Sequence, residues 1–300
     1  MLAIRALAAS ALRTTADWIV RRGAAAGPAY DAGGFGRRTR DWLPTSETIN
    51  AILFTSAETL RARSRDMARK SPWAGAALDT WQANVIGTGI KPQSLHPEAA
   101  FRRALQETWL AWTDESDADD VTDYYGQQGL AARAVKEGGE VFARFRNRRP
   151  EDGLTVPLQI QLLEPEHVPM ELNQPLPGGG AVRAGIEFDA RGRRVAYHMT
   201  RNHPGDTVLT ARGHELVRVP ASEIMHVFAP LRPGQIRGTP GLATALLRIF
   251  DFDHYEDAEL VRKRDSAMFS GFIEEPLPTG PDGGPMAAQK TETDAAGVQT

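Results

Sequence analysis

Val219-Pro220-Ala221-Ser222-Glu223-Ile224-Met225-His226-Val227-Phe228 is followed closely by Arg232-Pro233-Gly234-Gln235-Ile236-Arg237-Gly238-Thr239-Pro240, and the chain changes architecture across these two runs. The first is short and apolar around His226 and reads as a strand. The second is dense in proline and glycine and reads as a turn. A charged helical segment comes next. Before the strand lie hairpin patterns, and before those lie helical ones. Helices, then hairpins, then one long helix make an α+β pattern, without the βαβ alternation of a parallel sheet.

The helical part opens near Thr45-Ser46, with Leu60, Ser64 and Met67 at helical spacing. Ser71-Pro72 supplies an N-cap with proline at the first helical position. Trp73, Ala77, Trp81 and Val85 then recur every four residues, which predicts one buried stripe. Gly87-Thr88-Gly89 stops that helix. Phe101, Leu105, Trp109 and Trp112 form a second stripe, and a third helix ends at Gly138-Gly139. The period then changes to two. Val141, Ala143 and Phe145 alternate with Phe142, Arg144, Arg146 and Arg148 in one strand. Val156, Leu158, Ile160 and Leu162 share the buried face of the next. Ile186 to Phe188 and Val195 to Met199 read as a hairpin.

The final helix is expected from about Thr239 to about Phe269. Leu242, Leu246, Ile249, Phe252, Leu260 and Met268 give it only a partial stripe. Acids precede Arg262, Lys263 and Arg264, an order that complements the helix dipole. About 30 residues of helix span about 45 Å. One that long with so thin a stripe is expected to pack against copies of itself.

Bulk composition narrows the function classes. Of 300 residues, 41% are hydrophobic and 24% charged, with a net charge of -3, so a core is affordable and DNA wrapping is disfavoured. Cysteine is absent, which removes disulfides, Cys-based zinc sites and thiol catalysis. No run approaches the roughly 20 apolar residues of a membrane span, so no membrane partner is expected. Met1 to Arg22 is Ala-rich with four arginines. Arg13 and Asp17 interrupt its apolar run, so an amphipathic arm is the preferred reading over a signal peptide or presequence. Gly23 to Gly36 reads as a flexible link, and the chain past Pro276 as a disordered tail.

The search for chemistry turns up structural readings. No G-x-x-x-x-G-K-[ST] or H-E-x-x-H occurs, and Ser222 lacks a nucleophile elbow. Asp117, Asp119 and Asp120 resemble a calcium loop, but Thr122 stands where glycine is needed, so a solvated acidic loop is preferred. Glu137 and Glu140, flanking Gly138-Gly139, read as a helix end and a strand start. His226 reads as a hydrogen-bonded structural histidine. Neither a catalytic residue, a metal site nor a cofactor is expected. Arg144, Arg146 and Arg148 are the best nucleic-acid candidate by composition, against a solvated face or a subunit salt-bridge surface. Arg262, Lys263 and Arg264 face the same choice between DNA phosphate and a neighbour's carboxylates, with the neighbour preferred.

Taken together, these runs resemble the lambda-type portal proteins of tailed phages. Beyond the opening stretch, the similarity is carried by Arg63-Ser64-Arg65-Asp66, Ser71-Pro72-Trp73-Ala74 and Asn84 to Ile90. Gly139-Glu140-Val141-Phe142, Ile186 to Asp189, Arg193 to His198 and Asp253 to Leu260 extend it over about Arg61 to Ile273. The resemblance implies an arm and link at 1–55, a wing-like α+β domain at 56–238, a stem-like helix at 239–273 and a tail at 274–300. It implies a non-enzymatic ring of about twelve subunits, a dodecamer, at one capsid vertex of a bacteriophage or prophage virion. It further implies contacts with the major capsid protein, the terminase large subunit and head-tail connector proteins. Double-stranded DNA would pass through during packaging and ejection without sequence readout. Assembly would occur in the host cytoplasm. Family members continue past this helix, so the chain is expected to be truncated or one product of a split gene, and to stay largely monomeric or form irregular oligomers by itself. A monomeric adaptor module and a nucleic-acid-processing enzyme are the alternative classes.

Overall fold

A computed structural model of the chain describes residues 37, 39–206 and 215–268. Most of the expected arm and link, and the whole tail, lie outside the described residues. The chain divides into two units, 1–55 and 56–300. In the first, Trp42 N–H closes a turn on the Thr39 carbonyl and the Thr48 hydroxyl accepts from Ala51 N–H. That bond caps α1 (Ile49–Lys70), which continues into the second unit.

Three more helices follow: α2 (Pro72–Val85), α3 (Ala99–Glu115) and α4 (Tyr124–Gly138). Eight strands come next: β1 (Glu140–Asn147), β2 (Leu158–Leu163), β3 (Gln174–Pro175), β4 (Ala181–Arg183), β5 (Ile186–Phe188), β6 (Arg194–Thr200), β7 (Leu216–Pro220) and β8 (Ile224–Phe228). The last described element is α5 (Leu246–Met268). The strands form two antiparallel sheets, ordered β2-β1-β8 and β3-β4-β5-β6-β7. The fold is α+β, as the order of patterns predicts.

The run 219–228 is not one strand. It ends β7 in the five-stranded sheet, turns through Ala221–Glu223, and begins β8 in the three-stranded sheet. Pro220 cannot donate to a ladder, so it marks the break. This crossover stitches the sheets together. Between them lies the main core: Phe142, Val168, Ile186, Phe188, Tyr197, Met199, Val219 and Ile224. Full burial of each large apolar side chain contributes about 1.5–3 kcal/mol. A second cluster joins α1, α2 and α5 through Met67, Ala74 and Leu246.

The helical stripes depart from expectation. On α2 the buried residues are Ala74 and Leu78, while Trp73 is 54% and Trp81 38% exposed. Small residues let helices approach closely; indoles sit at the rim where their polar edges find partners. Trp73 Nε1–H donates to Glu256 at 2.9 Å and its ring meets Phe252 edge-on, while Lys136 lies 3.9 Å above Trp81. On α3, Phe101 and Leu105 are exposed and Trp112 is buried, donating to the Leu158 carbonyl. The face 156, 158, 160, 162 is no more buried than Gln159 and Gln161, all being half-buried. Both faces of β2 are used, because the two glutamines hydrogen-bond inward.

The acidic stretch is also less solvated than its composition predicts. The Asp117 carboxylate is buried and accepts four hydrogen bonds, from the backbone of Asp119, Val121 and Thr122 and from Gln127 Nε2. It organises the loop that leads into α4.

Candidate functional site: a buried carboxylate joint

The segment that leads from the sheets into α5 is anchored on Glu140. Gly138 ends α4 and Gly139 turns the chain at φ 96°, so Glu140 starts β1 directly beneath the helix end. That left-handed backbone favours glycine. β8 pairs beside β1 with Phe142 opposite His226, and the two rings stack at 4.3 Å. The turn after β8 is shaped by Gln235, which accepts from Leu231 N–H and donates to the Arg237 carbonyl. Arg237 then enters the interior.

Glu140 is wholly buried and Arg237 is 1% exposed. Arg237 Nε donates to Glu140 Oε1 at 2.8 Å, Nη1 to the carbonyls of Val168 and Ala184, and Nη2 to that of Pro165. The other carboxylate oxygen accepts from His226 Nε2 at 2.9 Å and Gly238 N–H at 2.7 Å. A carboxylate cannot donate, so His226 carries its proton on Nε2. Burial opposes the charge on Glu140. The Arg237 cation and the His226 bond outweigh it and hold the carboxyl far below its ordinary range. Burial also pushes His226 below its ordinary value, against the pull of Glu140, so it is neutral at pH 7.

Close backbone approach completes the joint. A Cβ on Gly238 would collide with the Gly139 carbonyl, and one on Gly139 would come 2.7 Å from the Thr239 carbonyl carbon. Gly241 N–H donates to Lys136 O at 2.7 Å. The segment 239–245 is therefore spent on docking, and α5 begins at Leu246 rather than near Thr239. Its 23 residues span about 34 Å. The Phe269 end lies outside the described residues. Ser71 caps α2 with backbone only; its hydroxyl donates instead to Asp253 of α5 at 3.1 Å.

A second ionic layer lies beside the first. Arg65 grips Glu166 with two bonds of 2.7 and 3.1 Å, and Arg61 lies 3.2 Å from it. Glu164, Glu166 and His203 lie close enough to share a cation. The two guanidinium groups already neutralise these carboxylates, so the cluster is an ion-pair network by chemistry.

The residues singled out for nucleic acid or a neighbouring subunit fall in two places. Arg262, Lys263 and Arg264 are exposed on α5, where Arg262 bonds Glu259 of its own helix at 2.7 Å. Arg144 and Arg146 share one face of β1, and Arg148 follows directly after the strand ends at Asn147. Arg146 and Arg148 donate to Gln161 and Gln159 of β2, and Arg144 lies 3.6 Å from Glu223. The structure does not bring the two triplets together. Glu140, Arg237 and Arg61 are the residues that sequence reasoning missed as a group. The available signal was an acid opening an apolar strand, and an arginine followed by glycine inside a Pro/Gly turn.

Among the described residues, no helix is long and apolar enough to cross a membrane. The family model described as phage portal protein, lambda family, matches residues 35–300. The "Probable portal protein" of Halomonas phage phiHAP-1 is 28% identical over 251 residues, covering 80% of this chain and 48% of that protein. "Portal protein B" of Escherichia phage lambda is 24% identical over 266 residues, covering 82% and 49%. The chain spans about half the length of the curated relatives it matches. With a match over residues 35–300, it belongs to the lambda family of phage portal proteins.

Proposed function

We propose that this chain acts as a non-enzymatic portal subunit, in the ring at one vertex of a phage head. DNA would enter through that ring during packaging and leave at ejection, and the tail would join there. The observation that carries this reading is the state of α5. The segment leading to its base is fixed to the sheets by the Glu140–Arg237 joint, and Leu246, its one buried residue, packs against Met67 of α1 and Ala74 of α2. Yet Leu247, Phe250, Leu260 and Val261 stand in solvent, Leu260 at 66% exposure. A firmly based helix with uncovered apolar residues is suited to packing between identical neighbours, which a closed ring supplies. Arg262, Lys263 and Arg264 then meet carboxylates of the adjacent copy. DNA phosphate is the weaker reading, because net charge is -3 and DNA must slide. The proposed division is a wing-like body at 56–238 and a stem-like helix after it. The proposed partners are further copies of the chain, the major capsid protein, the terminase large subunit, head-tail connector proteins and passing double-stranded DNA. Its place is the virion, after assembly in the host cytoplasm.

The test is mass spectrometry of purified virions from a phage or induced prophage that encodes the chain. Its peptides should be present at a small fraction of the major capsid protein, and a tag should mark one vertex. Absence from virions, with the chain made in infected cells, contradicts the reading.

A further inference from the structure

The face of β1 that starts at Phe142 ends in arginines, and the two sheets part there. A cavity of about 470 Å³ opens between them. Arg144 and Arg146 of β1, Gln161 of β2, and Arg201 and Asn202 just after β6 contribute to its wall. Among its described lining residues are three guanidinium groups and no carboxylate. The nearest acids lie outside: Glu223 is 3.6 Å from Arg144 and Glu215 is 3.3 Å from Arg201. Gln161 turns its oxygen to Arg146 and its amide to Asp119, so it relays an acid without neutralising the cleft. Arg144 Nε is buried without a hydrogen-bond partner among the described residues. Burial, and repulsion from Arg144 and Arg148, lower the affinity of Arg146 for its proton.

A concave site with crowded cations, an orphan buried donor and no lining acid calls for an anion. Guanidinium forks match the geometry of a tetrahedral oxyanion better than they match chloride. We propose that this cleft binds a phosphate-type oxyanion, with Arg144, Arg146 and Arg201 as its charged ligands and Asn202 as a neutral donor at the rim. The proposal does not depend on ring formation. Two sources carry this chemistry: a free phosphate species or the phosphodiester backbone of DNA.

The test is calorimetric titration of the full chain with inorganic phosphate at constant ionic strength, followed in parallel by the arginine Nε–H resonances. Saturable binding is expected, with the Arg144 Nε resonance shifting. Arg201→Gln should weaken binding about tenfold or more, and Arg146→Gln similarly. Arg103→Gln, on an exposed position of α3, should leave it unchanged. Arg201 is itself exposed, so its variant keeps the test decisive even if Arg146→Gln fails to fold. No saturable binding, or binding indifferent to Arg201→Gln, overturns the proposal. A short DNA duplex supplies the second arm. Duplex binding that phosphate displaces names the DNA backbone as the source. Phosphate binding with no duplex binding names a free oxyanion. Duplex binding that neither phosphate nor Arg201→Gln affects counts against the site.

Discussion

Arg237 and Glu140 stand 97 residues apart in sequence and meet at 2.8 Å where neither side chain reaches solvent. The pair fixes the exit of β8 to the start of β1, and so sets where α5 can begin. A buried ion pair is weak evidence of net stabilisation, because desolvation offsets attraction. Removing one partner is different, since the other charge is left uncompensated.

Arg237→Met should therefore cost about 3–5 kcal/mol, and Glu140→Gln a similar amount. The double variant should cost clearly less than the sum. Urea unfolding of the four proteins checks this. Strict additivity would show that the two residues act independently.

Acid should loosen the same joint. His226 is held below its ordinary value, so as pH falls through about 6.5 the unfolded chain takes up a proton before the folded one does. Stability is then full above that pH and declines below it. His167, lowered mainly by burial against the Thr200 bond, adds to the same slope. Glu140 is held far below its ordinary value, so its contribution is present above about 4.5 and falls away in stronger acid. The charged groups around the pair are Arg237, Arg61, Arg194 and Glu166. Urea midpoints at about pH 8, 6 and 4.5 should decline in that order, and His226→Asn should flatten the first step. A midpoint that rises on acidification would contradict this account.

Gly238→Ala should destabilise by about 1–3 kcal/mol, because the new methyl meets backbone of Gly139 that cannot move aside. Gly75→Ala makes the contrast. Its Cβ would meet only the Ala68 carbonyl, at 3.5 Å, inside α2, where alanine is favoured by up to about 1 kcal/mol. Thermal melts should separate the two in opposite directions.

The order of elements was legible because period and turn chemistry are local. Ser71-Pro72, Gly138-Gly139 and the Ile186–Met199 hairpin fall where their residues indicate. Burial was less legible. Four-residue spacing of Trp73, Trp81 and Val85 describes a face, but which face turns inward depends on Ala74 and Leu78 fitting closely and on indole N–H groups needing partners. The joint was least legible. Glu140 lies far in sequence from His226 and Arg237, and the antiparallel pairing of β1 with β8, followed by the turn after β8, brings them together. The crossover at Pro220 was hidden for the same reason: one apolar run serves two sheets.

Self-association through α5 tests the central claim most directly. Sedimentation equilibrium of the chain over a wide concentration range should show a monomer at low concentration and mass rising reversibly at high concentration, as irregular oligomers. Leu247→Gln with Leu260→Gln, both exposed in the single chain, should suppress that rise without lowering thermal stability. A single monomer mass at every concentration, the same for both proteins, would contradict a ring subunit built around this helix.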